Sequence, residues 1–190
     1  MRPPPSSLFS RDFRPPFCYN PAIATRHERA RMKTYRGAGI AFFRQKDGRY
    51  EVFLGKRKHG PIGKGKWSFP GGGMDARDGG DFLTTAKRET REEMGVDVDR
   101  LAARRVDSIR HDRSIPFFYE FHWETFLYFL APPQTSDDFR FYHEMDPWGW
   151  FPLSDLPAMQ SRNELFDFMG VSVMSAVEKF KTVSGSLADK

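Results

Sequence analysis

The chain has 190 residues, a formal net charge of +5, 39% hydrophobic residues and 19 phenylalanines. That length suits one well-cored domain with some chain to spare, and the negative mean hydropathy excludes a mostly membrane-embedded protein. The longest apolar runs, such as Phe126 to Pro133, fall short of the roughly 20 residues that cross a bilayer as a helix, so no transmembrane helix is expected.

The charge is uneven. Through Lys33 the basic residues are Arg2, Arg11, Arg14, Arg26, Arg29, Arg31 and Lys33, against Asp12 and Glu28, and this surplus accounts for the whole excess. Pro3 to Pro5, Pro15 and Pro16 break the helix that an organelle presequence needs. Residues 1–33 therefore read as an extended basic tail, with a nucleic-acid arm and a targeting segment as the alternatives. Cys18 is the sole cysteine, so no intramolecular disulfide can form, in keeping with a reducing, cytoplasmic setting. The domain itself is placed at residues 34–181, with 182–190 as a short C-terminal tail.

Gly37 to Phe43 (GAGIAFF) and Tyr50 to Gly55 (YEVFLG) flank the turn material Lys46, Asp47 and Gly48, which predicts an antiparallel strand pair. A glycine- and lysine-rich loop, His59 to Lys66, leads through Trp67, Ser68 and Phe69 to the turn Pro70, Gly71, Gly72, Gly73. Phe82 to Met94 is built of good helix formers with no internal Gly or Pro, and Gly95 suits the left-handed position after a helix. Arg104 to Ile109, Phe117 to Leu130 and Trp148 to Phe151 read as further strands. Leu165 to Met169 and Val171 to Phe180 carry apolar residues at helical spacing, with Gly170 as a break between them. The order of elements predicts an α/β (α+β) sandwich with helices packed on a sheet.

On the central helix Glu89, Glu92 and Glu93 fall within about 100° of arc. Like charges on one stripe repel by some tenths of a kcal/mol per pair and ask for a compensating cation, to which Arg88 and Arg91 contribute. A hard divalent ion such as magnesium takes carboxylate oxygens and commonly bridges substrate phosphates. Asp81, eleven positions before Glu92, shares that face and is either a fourth carboxylate or the helix cap. A Glu-rich helix alone is more often a solvated face; its position after the Pro70 to Gly73 turn is what favours a site.

Gly71 to Val96, GGGMDARDGGDFLTTAKRETREEMGV, resembles the Nudix box, in which G, five residues, E and seven residues precede R-E-U-x-E-E-x-G-U, U being apolar. Arg88, Glu89, Glu92, Glu93, Gly95 and Val96 match it. Lys66 to Gly72 before the box, and Trp150, Phe151, Pro152, Leu156 and Pro157 after it, also resemble the family, so the likeness spans about Thr34 to Pro157. Two departures stand out: Thr90 fills an apolar slot, and Gly80 stands where a Glu is usual before Arg88, as if the Asp75 to Asp81 loop were lengthened.

The resemblance implies the Nudix α/β/α sandwich with a mixed sheet and a loop–helix–loop catalytic unit. It implies Mg2+, with Mn2+ as a substitute, held by Glu89, Glu92, Glu93 and the backbone carbonyl of Gly71, with Asp81 as a further candidate. It implies Arg57, Lys66, Gly72 and Phe69 as substrate contacts, Arg88 beside the catalytic glutamates, and Glu144, next to His143, as a candidate base. Trp67, Phe69, Phe117, Phe118 and Tyr119 read either as base-stacking rings or as core. The implied activity is hydrolysis of a nucleoside diphosphate compound, first a nucleoside triphosphate to monophosphate and pyrophosphate. A nucleotide sugar, a dinucleoside polyphosphate or capped RNA is the alternative, and a nucleotide-binding regulatory module is a reading of another class. RNA and a second copy of the chain, as a homodimer, are the macromolecular partners to consider.

Overall fold

The computed structural model describes residues 33–60, 62–115, 119–130, 139–142 and 144–184. Residues 1–32 of the basic tail, with Cys18, and Phe117, Phe118 and His143 lie outside them.

The unbroken apolar run from Gly37 to Phe43 forms the centre of β1 (Lys33–Lys46). It is apolar without alternation because both faces are covered: Ala38, Ile40 and Phe42 enter one core cluster, Ala41 and Phe43 the other. Asp47 and Gly48, both at positive φ, turn the chain into β2 (Arg49–Arg57), the expected antiparallel partner. Short strands β3 (Trp67–Ser68) and β4 (Gly71–Gly73) follow, then β5 (Ala103–Ile115), β6 (Tyr119–Leu130) and β7 (Met145–Pro152). The sheet runs β3-β2-β1-β6-β5, with β4 added on β1 and β7 on β2, and is mixed because β1 and β6 are parallel.

Helix α1 (Phe82–Met94) is the helix read from the sequence, capped by Asp81 and closed by left-handed Gly95. Its Phe82, Ala86 and Met94 pack on the even face of β1. Thr90, the polar residue in an apolar slot, is fully buried and returns its hydroxyl to the Ala86 carbonyl, 2.8 Å away. Helices α2 (Leu156–Ser161) and α3 (Val173–Ser184) cover the odd face, where Phe180 stacks on Phe43 at 4.0 Å. This is the α/β/α sandwich expected.

The helical reading of Leu165 to Met169 is corrected. Strands β8 (Asp167–Phe168) and β9 (Val171–Ser172) form a two-stranded hairpin instead, turned by Met169 and Gly170 at φ 54° and 89°. Left-handed backbone at two consecutive positions makes a tight hairpin turn, so the apolar spacing there was hairpin packing and not helix.

One feature of the sheet positions everything below. The first half of β1 pairs with β4, Gly37 opposite Gly73 and Gly39 opposite Gly71, whereas its end pairs with β2, Phe43 opposite Val52. β1 and β2 thus part, and the glutamates of α1 reach the gap past the glycines of β4.

Candidate active site

The gap opens into a cavity of about 410 Å³ lined by Glu89, Glu93, Glu144, Arg57, Gly71 to Gly73 and a group of aromatic rings. Of the three acids lining the cavity, Glu93 is the most enclosed. Its Oε2 accepts the Gly71 N–H at 3.0 Å. Burial, reinforced by the like charges of Glu144 and Glu89, pushes its carboxyl up to about 8. Burial also raises Glu89, although Arg88 opposes the shift.

Arg88 organises the helix acids. Its Nη1 donates to Glu89 at 2.8 Å and to Glu92 at 3.0 Å, and its Nη2 donates to the Gly73 carbonyl at 2.8 Å. The other teeth of the fork grip Asp78, Nε to Oδ1 and Nη2 to Oδ2, both at 2.9 Å. Asp78 is the acid that sequence reasoning missed. Counting back from Arg88 gives Gly80, but leaving five residues after Gly72 gives Asp78, so a usable signal was present. The lengthened loop is folded into a short 3-10 turn (Ala76–Asp78) with a capping box between Asp75 and Asp78, and Gly79 and Gly80, both at positive φ, carry the extra length.

Arg57, at the end of β2, brings its guanidinium over the Phe166 ring at 5.6 Å, and its buried Nε has no hydrogen-bond partner among the described residues. An unsatisfied buried donor facing a cavity is a group waiting for an acceptor.

The floor of the cavity is aromatic: Tyr119, one of the rings read as base-stacking or core, is part of it, whereas Tyr35, Phe121 and Trp123 were missed. Tyr119, Phe121 and Trp123 alternate along β6 onto one face, and Tyr35 of β1 stands opposite Phe121. Phe121 stacks with Tyr35 at 5.6 Å and with Trp123 at 6.3 Å, nearly parallel in both cases. Gly37 and Gly39 make room for the indole: a Cβ at Gly37 would stand 2.7 Å from the Trp123 ring. The alternation of these rings with Glu120, His122 and Glu124 was legible; their meeting with Tyr35 depends on strand register.

Other candidates are placed elsewhere. Glu92 is half-exposed on Arg88 and does not line the cavity. Asp81 accepts the Thr84 N–H at 2.7 Å as helix cap, about 16 Å of helix rise from Glu92. Lys66 donates to the Asn163 carbonyl, Phe69 is buried among the residues under α3, and Trp67 packs edge-on to Phe151 at 4.6 Å. Gly72 lines the cavity so closely that a Cβ there would meet the Glu89 carboxylate at 2.6 Å. For Gly71 the structure engages the N–H rather than the carbonyl proposed as a ligand.

In kind, the donors fit a hard divalent cation: carboxylate oxygens, partly desolvated, facing one another with too few counter-charges. In arrangement, no three carboxylate, imidazole or thiol groups among the described residues are drawn together as a closed ligand set, since Glu89 and Glu92 are turned onto Arg88.

A sandwich with this loop–helix unit defines a class, and comparison with known proteins identifies it. The NUDIX domain profile matches residues 33–169. An Ap4A hydrolase of C. elegans in a binary complex is similar at 26% identity and a TM-score of 0.58, over 82% of this chain and 99% of that one. The NUDIX domain of Shewanella oneidensis NrtR, solved with ADP ribose, shares the fold at 16% identity and a TM-score of 0.51, over 74% and 82%. A NUDIX hydrolase from Alicyclobacillus acidocaldarius does so at 20% and 0.52, over 70% and 85%. No curated relative matches the sequence. The chain belongs to the Nudix family, whose hydrolases act on phosphoanhydride bonds. Among the described residues no helix is long and apolar enough to cross a membrane.

Proposed function

We propose that this protein hydrolyses a phosphoanhydride bond of a nucleoside diphosphate compound with the base stacked on the Tyr35, Phe121 and Trp123 floor. The observation that carries the reading is the meeting, in one cavity, of that floor with Glu89, Glu93, Glu144 and the unpartnered Nε of Arg57.

Mg2+, or Mn2+ in its place, would be held by Glu89, Glu93 and Glu144, with Glu92 joining once its carboxylate swings off Arg88. The cation supplies neutralisation of charge developing on the phosphoanhydride oxygens. Arg57 presents a fork to the same oxygens. Arg88 orients Glu89, and the Gly71 N–H holds Glu93 in one rotamer. Glu144, which faces both helix acids, takes the proton of the attacking water. The aromatic floor holds the nucleoside, so that positioning and electrostatics carry the chemistry.

The simplest substrate is a nucleoside triphosphate, cut to the monophosphate and pyrophosphate. A second reading, a dinucleoside polyphosphate, is favoured by the likeness to the C. elegans Ap4A hydrolase over nearly that protein's whole length. The test is pyrophosphate and phosphate release from nucleoside triphosphates, dinucleoside polyphosphates and ADP-ribose with Mg2+, comparing wild type with Glu93→Gln. Metal-dependent turnover lost in the variant supports the reading. Nucleotide binding with no turnover of any substrate overturns it in favour of a regulatory binding module.

A further inference from the structure

Arg113 and His111 lie on β5 directly opposite Phe121 and Trp123 of β6, and paired residues of an antiparallel ladder share a face. Their side chains therefore stand on the cavity side of the sheet, beyond the aromatic floor. The β8–β9 hairpin closes over them. Phe168 meets Phe121 edge-on at 5.8 Å, and a Cβ at Gly170 would lie 3.3 Å from both Arg113 Nη2 and His111 Nδ1. Phe168 and Val171 of the same hairpin line the cavity, so the pair sits at its rim.

The charges on the two faces of β5 contrast. On the opposite face Arg110 and Asp112 pair at 3.1 Å, and Asp112 also holds His122 at 2.7 Å. On the cavity face no carboxylate among the described residues pairs with Arg113. Across the sheet the order is thus carboxylates with Arg57, then stacked rings, then Arg113 and His111, which no carboxylate among the described residues holds in an ion pair. The first two zones account for a phosphoanhydride and a base. The third is not needed for either.

We propose that Arg113 and His111 form a second anion subsite that takes a phosphoryl group carried on the substrate's ribose, away from the bond that is cut. This rests on the nucleotide reading of the cavity. The backbone of Arg113 lies one strand spacing, about 5 Å, from that of Phe121, so a phosphate on the ribose of a base stacked there falls within reach of its long side chain. The Arg113 guanidinium suits such an oxyanion bidentately, and His111 adds a donor beside it. The chemistry is shared by a nucleotide with a free 3′-phosphate and by one whose 3′-phosphate continues into a chain.

Binding decides the matter without turnover. Calorimetric titration of wild type should show adenosine 3′,5′-bisphosphate binding about tenfold more tightly than adenosine 5′-monophosphate. In Arg113→Gln that ratio should fall to near unity, and Arg113→Lys should restore part of it. Equal affinities in wild type, or an undiminished ratio in Arg113→Gln, overturn the subsite. Turnover of coenzyme A against its 3′-dephospho form, and of a 5′-triphosphorylated dinucleotide against ATP, then tells a free 3′-phosphate from a continuing chain. A standing affinity ratio with no turnover of any of the four keeps the subsite and sinks the hydrolase reading instead.

Discussion

Arg88 and Asp78 are joined by two parallel hydrogen bonds of 2.9 Å, with the Asp78 side chain only 1% exposed. This pair ties the loop before α1 to the middle of the helix and leaves Nη1 of the same guanidinium free to hold Glu89 and Glu92.

Asp78→Ala leaves that guanidinium short of its buried partner and should lower stability by roughly 3 kcal/mol, read as a shift of the urea midpoint. The Arg88 fork and the Thr85 hydroxyl hold the Asp78 carboxyl far below the ordinary range. A depressed folded-state pKa contributes stability that is present above the unfolded value of 3.8 and is lost as pH falls through the folded one. Wild type should therefore keep this contribution at pH 4, and its advantage over Asp78→Asn should shrink only in stronger acid. An advantage independent of pH down to the acid limit counts against the ion pair.

Glu93 behaves in the opposite sense. Its folded pKa, pushed up to about 8 from 4.5, makes its contribution full below pH 4.5 and lost as pH rises through 8. Metal-free wild type should therefore lose stability over that window more steeply than Glu93→Gln. Added Mg2+ should raise the melting temperature more at pH 8 than at pH 6, because metal competes with the proton. Melting curves that respond alike to Mg2+ at both pH values would contradict a site at Glu93.

Phe121→Ala removes the ring at the centre of the floor. A lost base stack should raise KM about tenfold or more with kcat little changed; a fall in kcat alone would place the base elsewhere.

Arg57→Ala should lower kcat/KM by about 100-fold, whereas Lys66→Ala, turned to Asn163 away from the cavity, should change it by less than about threefold. Equal losses would return Lys66 to the site.

Gly37→Ala would set a Cβ 2.6 Å from the Gly72 carbonyl and 2.7 Å from Trp123. The expected result is a loss of about 1–3 kcal/mol, with an altered Trp emission spectrum as the indole is pushed up from the strand. An unshifted spectrum would show that the floor does not rest on Gly37.

What the sequence revealed was what short-range chemistry decides. The α1 helix was legible because Asp81 and Gly95 mark its ends and no breaker lies between. The glutamate stripe followed from helical spacing. Asp78 was missed because the count was made across a loop whose length had changed, and the hairpin at Phe168 because its apolar residues mimic helical spacing. The cavity floor needs Tyr35, far from Phe121 in the chain, and pairing of parallel strands has no local signature.

The turn at Asp75 to Gly80 also bears on how such chains vary. Its clamp is a gap in space bridged by one guanidinium, while Gly79 and Gly80, between the two bridged residues, carry the extra length of chain. Shortening or extending the chain at these two glycines changes the residue count between the bridged groups, and positive φ at both lets the loop take up the difference. Rules of recognition that count residues across this bend will pass over such sequences, whereas rules that ask only for an acid able to reach Arg88 will retain them.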